Sequence, residues 1–135
     1  MQDTKILEDL IIGRVEPQIY AFTTQTVPNY LKVGDTYRPL EIRLDEWRDH
    51  FPNLVKEYSK VAKVDNETFF RDFAIHDYLE GDLGKIRLQR FDIKDIYYSK
   101  ELFKDTKTKD VDNAIKDIIN EYQKMIHEES YDDSL

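Results

Sequence analysis

The sequence predicts a small mixed α/β (α+β) domain in which helices flank a mostly antiparallel sheet. The chain has 135 residues, which is the size of one domain. Two segments rich in aromatic and β-branched residues, 18–24 and 30–34, are joined by about five residues, a spacing typical of an antiparallel hairpin. Strand-like and helix-like segments alternate in the order α-β-β-α-β-α-(β)-α, which favours a sandwich of one sheet and its helices.

The first half of the chain predicts a helix on each side of the hairpin. Residues 3–12 carry isoleucines and leucines at helical spacing, and Gly13 ends this N-terminal helix. Pro39 fits the first position of the next helix, and Pro52 ends it. The apolar stripe of that second helix consists of Leu40, Leu44, Trp47 and Phe51.

The second half predicts a third strand, two helices and a weaker strand candidate. Residues 54–64 alternate in part and contain β-branched residues, which favours a strand. Asn66 fits the N-cap of a helix that runs to Glu80. Residues 85–88 are the short strand candidate, and residues 110–126 have the periodicity of an amphipathic helix.

These elements predict a single main domain, residues 18–127. We expect residues 1–17 to form an N-terminal helix and lead-in. Residues 128–135 are short and acidic, which predicts a frayed tail or the start of a linker.

The composition excludes several classes of protein. Hydrophobic residues make up 40% of the chain and include nine Tyr and seven Phe, enough for a core, so whole-chain disorder is excluded. No apolar run approaches the roughly 20 residues of a membrane helix, and no secretory signal opens the chain, so we expect a cytoplasmic protein without a membrane partner. The absence of cysteine excludes disulfides and cysteine-ligated zinc. The net charge of −8 means that any DNA contact needs a local basic face or a fused partner.

Four polar residues do not fit an account based on packing alone. Lys32 lies between two apolar residues of a predicted strand, and the ordinary interpretation is that its strand face is solvated. Arg43 borders the apolar stripe of its helix, where an arginine either snorkels or offers a fork to a phosphate or carboxylate. Asp72 and His76 are i, i+4 neighbours on an arc with phenylalanines, so they form either a hydrogen-bonded pair at the edge of the core or a metal-binding or acid–base pair.

The two predicted strands of the hairpin resemble those of a known family. Gln18-Ile19-Tyr20 followed by Lys32-Val33-Gly34 resembles the paired strands of the GIY-YIG nuclease superfamily, with Gln18 and Lys32 replacing its first glycine and second tyrosine. KVGDT, followed by Arg43 eleven residues after Lys32, is similar to the K-[IV]-G-x-T…R signature of the phage-type branch.

Two later motifs extend this resemblance over most of the chain. Asp72-x-x-x-His76 resembles the E-x-x-x-H helix of that branch, with aspartate in place of glutamate. Glu101-Leu102-Phe103 resembles its closing E-[WF]-F motif. The resemblance implies a three-stranded antiparallel sheet flanked by helices, and cleavage of DNA phosphodiesters that depends on Mg²⁺ or Mn²⁺.

The resemblance also implies a role for each matching residue. Tyr20 would be the base or would orient the attacking water, Lys32 would neutralise a phosphate, and Arg43 would clamp its non-bridging oxygens. Asp72 would be the metal ligand, with Glu80 as the fallback because Asp has the shorter reach. His76 would support the metal or act as a second proton-transfer group.

A nuclease also needs cations for the DNA backbone. The candidates form a strip on the predicted third strand and after the central helix: Lys56, Lys60, Lys63, Arg87 and Arg90. The acidic balance of the chain predicts weak affinity for DNA on its own, so we expect a fused or associated helicase or motor domain, as in some restriction-type polypeptides. Two alternatives stay open, a catalytically silent DNA- or protein-recognition module and an interaction domain with an accidental motif match.

Overall fold

The computed structural model describes residues 16–94 and 96–133, apart from the side chains of residues 129–133. It is a mixed α+β structure, which confirms the predicted class. Four strands form one antiparallel sheet: β1 (Gln18–Thr23), β2 (Tyr30–Thr36), β3 (Val55–Val61) and β4 (Leu102–Lys104). Their order across the sheet is β3-β1-β2-β4, so the hairpin β1–β2 lies in the centre.

Within the described ranges, three helices pack around the sheet: α1 (Leu40–Arg48), α2 (Asp72–Asp77) and α3 (Thr108–Asp133). A π-helical turn, Tyr78–Asp82, continues α2, and a single 3₁₀ turn spans Arg90–Asp92. Among the described residues, no helix has the length and apolar character to cross a bilayer.

The expectation of three strands is wrong, because β4 is a fourth strand. It pairs with β2 through Tyr30↔Lys104, Leu31↔Phe103 and Lys32↔Leu102. A strand of only three residues has no periodicity of its own, so pairing across the sheet determines it. The candidate strand at residues 85–88 forms only an isolated bridge, between Arg87 and Phe103.

The predicted start of the central helix at Asn66 is also wrong. The Asp65 carboxylate accepts the backbone N–H groups of Glu67 and Thr68, which holds this segment in a turn. The helix begins six residues later, at Asp72, and its π-helical turn carries it past Glu80. The helix predicted at residues 3–12 lies outside the described residues.

The C-terminal segment is more regular than predicted. Helix α3 is two residues longer at its start than the predicted helix 110–126 and continues to Asp133. The described part of the predicted acidic tail is therefore helical.

The alternation of β1 gives the sheet two apolar faces. Ile19 and Ala21 belong to the core under α2 and α3, whereas Tyr20 and Phe22 belong to the core under α1. Because directly paired residues point to the same face, the pairs Tyr20↔Gly34 and Phe22↔Lys32 place Lys32 on the α1 face. This register positions the candidate site.

Candidate metal-binding and catalytic site

Tyr20 and Lys32 meet over Gly34 on the α1 face of the sheet. A Cβ atom at residue 34 would lie 2.7 Å from Tyr20 Oη and 2.9 Å from Lys32 Nζ. Gly34 therefore leaves the space in which the phenol and the ammonium group come together. Lys32 has no exposed surface, so the interpretation of a solvated strand face is wrong for this residue.

Helix α1 contributes Trp47 and Arg43 to the same region. Trp47 Nε1 donates a hydrogen bond of 2.7 Å to Tyr20 Oη. The centre of the indole lies 4.2 Å from Lys32 Nζ and 5.0 Å from the guanidinium carbon of Arg43. These distances are within the range of cation–π attraction. Trp47 therefore links the phenol to both cations.

Arg43 is partly exposed and shares a carboxylate with a second arginine. Glu46 accepts hydrogen bonds from Arg43 at 2.9 Å and from both terminal nitrogens of Arg38 at 2.7 Å. The bonds from Arg38 and then from Arg43 lower the pKa of Glu46 to about 2. Burial lowers the pKa of Arg43, but Glu46 and the nearby Tyr20 outweigh burial, so this pKa lies above its usual value. Arg38 and Arg43 carry two positive charges and Glu46 carries one negative charge, so the three side chains together keep one net positive charge.

The fourth strand brings a carboxylate to the buried lysine. Because Leu102 pairs with Lys32, the preceding Glu101 reaches Lys32 Nζ at 2.7 Å through Oε1. The side chain of Glu101 is 29% exposed, whereas that of Lys32 is fully buried. The ion pair thus connects the interior of the sheet to solvent.

Asp72, His76 and Glu101 form a group of side chains that could hold a metal ion. One potential ligand atom from each lies within 4.8 Å of the other two. The i, i+4 spacing on α2 places Asp72 and His76 on one side of the helix, and Glu101 comes from the position just before β4. The donor set is two carboxylates and one imidazole.

Hydrogen bonds from β2 fix the orientation of α2. Asp35 Oδ2 accepts the backbone N–H of Asp72 at 2.9 Å and Arg71 Nε at 2.7 Å. His76 Nε2 lies 2.8 Å from the carbonyl oxygen of Val33. A carbonyl only accepts, so Nε2 carries the proton and Nδ1 of the neutral ring keeps its lone pair for a ligand.

Burial and neighbouring charges shift the pKa values of Asp72, Glu101 and His76. Burial, followed by the charges of Asp35 and Glu101, raises the pKa of Asp72 to about 7. Burial would raise the pKa of Glu101 as well, but the Lys32 ammonium outweighs burial and lowers it. Burial lowers the pKa of His76, which keeps its ring neutral. A divalent cation would relieve the repulsion between the two carboxylates.

Tyr20, Lys32, Arg43, Asp72 and His76 therefore lie along one connected set of contacts, through Trp47 and Glu101. Glu80, the fallback ligand, lies elsewhere: it pairs with Arg87 at 2.8 and 3.1 Å and is not part of the metal-binding group.

The five cations predicted to contact DNA do not all lie on one face of the sheet. A bulge in the pairing with β1 places Lys56 opposite Phe22, on the α1 face, and Lys60 opposite Ile19, on the other face. Carboxylates hold three of the five cations, through the pairs Lys60–Asp112, Lys63–Glu16 and Arg87–Glu80. Within the described residues, Lys56 and Arg90 have no carboxylate partner, and Arg90 lies 5.4 Å from the ring of Tyr98.

Sequence reasoning missed the roles of three residues. Glu101 belongs to a motif that predicts no function for it, Trp47 fits the apolar stripe of its helix, and Asp35 lies within KVGDT without a predicted role. The only signal in the sequence was the ordered set of motifs, since each of these contacts joins separate elements. Comparisons of the chain with protein families, curated proteins and solved structures found no match.

Proposed function

We propose that this chain is a metal-dependent DNA endonuclease domain of the GIY-YIG type that hydrolyses phosphodiester bonds. One observation carries the proposal: Tyr20, Lys32 and Arg43 adjoin a three-residue donor group, although these residues come from β1, β2, α1, α2 and the position just before β4. A phenol, two cations and a metal-binding group are the parts that phosphodiester hydrolysis needs. We further propose that the domain is the head of a larger restriction- or helicase-type protein, because its acidic charge disfavours autonomous DNA binding.

The donor set fits Mg²⁺ or Mn²⁺. Carboxylate oxygens of Asp72 and Glu101 suit both ions, and the imidazole of His76 suits Mn²⁺ better. The carbonyl of Val33 fixes the ring of His76, as backbone carbonyls do for many metal-ligating histidines. A bound ion would supply positive charge to the scissile phosphate.

The protein side chains would position the reactants. Tyr20 Oη, which Trp47 holds in place, orients the attacking water. Arg43 is the more exposed of the two cations and binds a non-bridging phosphate oxygen. Lys32 holds Glu101 at the donor group and adds positive charge beneath it.

The test is nicking of supercoiled plasmid with Mg²⁺ or Mn²⁺. We expect cleavage by the wild type, none in EDTA, and losses of about 100-fold or more in Tyr20→Phe, Arg43→Ala and Glu101→Gln. Glu80→Gln is the matched control, since Glu80 is a carboxylate outside the donor group, and it should cleave at nearly the wild-type rate. Equal cleavage by wild type and Glu101→Gln would contradict the proposal.

A second candidate function, a catalytically silent recognition module of the same fold, has an observation in its favour. Tyr20 is 1% exposed and Lys32 is 0% exposed, and each already has a polar partner. Groups so enclosed reach a substrate only if the site opens. The same experiment separates the two functions, because the silent module binds DNA without nicking it at any metal concentration.

A further inference from the structure

An exposed aromatic stack lies beside Tyr20. The rings of His50 and Tyr97 are stacked with their centres 3.6 Å apart and their planes 16° apart. Tyr97 also packs edge-to-face with Trp47 and Phe51, at 6.0 and 6.2 Å between ring centres. Tyr97 is therefore held by three rings, yet 45% of it is exposed.

The stack borders a small cavity that reaches the candidate site. Arg43, Glu46, Trp47, His50 and Tyr97 line this cavity, whose volume is about 100 Å³. Pockets for whole small molecules are roughly 300–1,000 Å³, so this cavity fits one part of a larger ligand. Because Trp47 donates its N–H to Tyr20, the cavity is separated from the phenol by a single residue.

Resting on the proposed endonuclease function, we propose that Tyr97 is a stacking platform for an unpaired nucleobase, so that the preferred substrate has single-stranded character beside the cleaved phosphate. An exposed, fixed aromatic ring next to a guanidinium group is what single-stranded nucleic acid recognition uses. Arg38 and Arg43 share the carboxylate of Glu46, so together they leave one net positive charge for an adjoining phosphate. In a duplex both faces of a base are covered by its neighbours, so a base that stacks on Tyr97 must leave the helix.

Fluorescence anisotropy in EDTA tests this proposal, with labelled single-stranded and duplex DNA of about 12 nucleotides. We expect the wild type to bind the single strand about tenfold more tightly than the duplex. Tyr97→Ala should bind the single strand about tenfold more weakly than the wild type and leave duplex binding unchanged, whereas Tyr97→Phe keeps the ring and the affinity. Met125→Ala, an exposed apolar residue on α3, is the control and should change neither.

A second readout detects stacking directly. The fluorescence of 2-aminopurine in the single strand should fall on binding to the wild type and to Tyr97→Phe, and stay high with folded Tyr97→Ala. Equal wild-type affinity for the two DNAs would overturn the inference, even if Tyr97→Ala does not fold. So would a folded Tyr97→Ala protein that binds the single strand as the wild type does.

Failure of this inference is distinguishable from failure of the endonuclease proposal. Binding is measured without a divalent metal, and nicking is measured with one. If the wild type nicks DNA with a divalent metal and Tyr97→Ala binds the single strand as tightly as the wild type, only the proposal of a stacking platform is overturned. Binding that depends on Tyr97, with no nicking by the wild type, supports the platform and overturns the endonuclease.

Discussion

The surroundings of Asp72 in the candidate site disfavour its negatively charged form. Asp72 is partly buried beside Asp35 and Glu101, and these surroundings raise its pKa to about 7. Lys32 and Arg71 oppose this rise without cancelling it. Three carboxyl groups placed this close together repel one another when they are ionised, and cation-binding sites share this arrangement.

The raised pKa predicts how stability depends on pH. Between the ordinary value of 3.8 and about 7, the folded state holds the Asp72 proton more tightly than the unfolded state does. The contribution of Asp72 to the free energy of unfolding therefore falls as pH rises through this window and stays low above it. In EDTA at about pH 8, Asp72→Asn should melt a few degrees above the wild type, and the two should converge near pH 4.

The control for this prediction is Asp82→Asn, because Asp82 is an exposed acid on the π-helical turn. Circular dichroism melts in EDTA and in Mn²⁺ measure both effects. Mn²⁺ should raise the Tm of the wild type and of Asp82→Asn, more at pH 8 than at pH 6, and leave Asp72→Asn unchanged. A lower Tm for Asp72→Asn than for the wild type in EDTA at pH 8 would contradict this account.

In the hairpin of β1 and β2, the packing of the Tyr20 and Lys32 side chains depends on Gly34. Its pairing with Tyr20 puts a glycine beneath the phenol, and a methyl group there would lie 2.7 Å from Oη and 2.9 Å from Cζ of Tyr20. Gly34→Ala must therefore displace Tyr20 or Lys32, both of which are buried and bonded. We expect a loss of about 1–3 kcal/mol in the free energy of unfolding and a loss of about 100-fold in nicking.

Gly81→Ala is the matched control, since a Cβ atom there has no neighbour within 4 Å. It should keep the wild-type stability and nicking rate. Urea unfolding and the plasmid assay measure the two effects. Gly34→Ala with wild-type values in both would show that the phenol and the ammonium group do not require this space.

The elements also show what the sequence could predict. The hairpin and α1 carry local signals, namely strand-like residues joined by a short loop, and an apolar stripe after a proline, so sequence reasoning found them. The start of α2 depends on the side-chain turn at Asp65, and β4 depends on pairing with β2. The ion pair Lys32–Glu101 joins residues 69 positions apart, so no local pattern encodes it.

At the scale of the whole molecule, the net charge of −8 is less informative than the way the charges are paired. Within the described residues, carboxylates hold Lys60, Lys63 and Arg87, three of the five cations predicted to contact DNA. Exposed pairs of this kind add little stability, but they reduce the cations available to phosphate. In the part of the chain that the structure describes, Lys56 and Arg90 have no carboxylate partner, and Lys56 shares the sheet face of Tyr20.

This distribution predicts a weak dependence of DNA binding on salt. Each phosphate contact contributes about −0.9 to the slope of log K against log salt for duplex DNA. Two or three contacts therefore give a slope of about −2 to −3, which anisotropy titrations in EDTA measure. Lys56→Gln and Arg90→Gln should each make the slope shallower by about 1, whereas Lys60→Gln and Lys63→Gln should leave it nearly unchanged.

A wild-type slope steeper than about −5, or equal effects of Lys60→Gln and Lys56→Gln, would mean that the ion pairs open to admit DNA. The domain would then bind through a broad basic surface and would not need a fused partner for affinity.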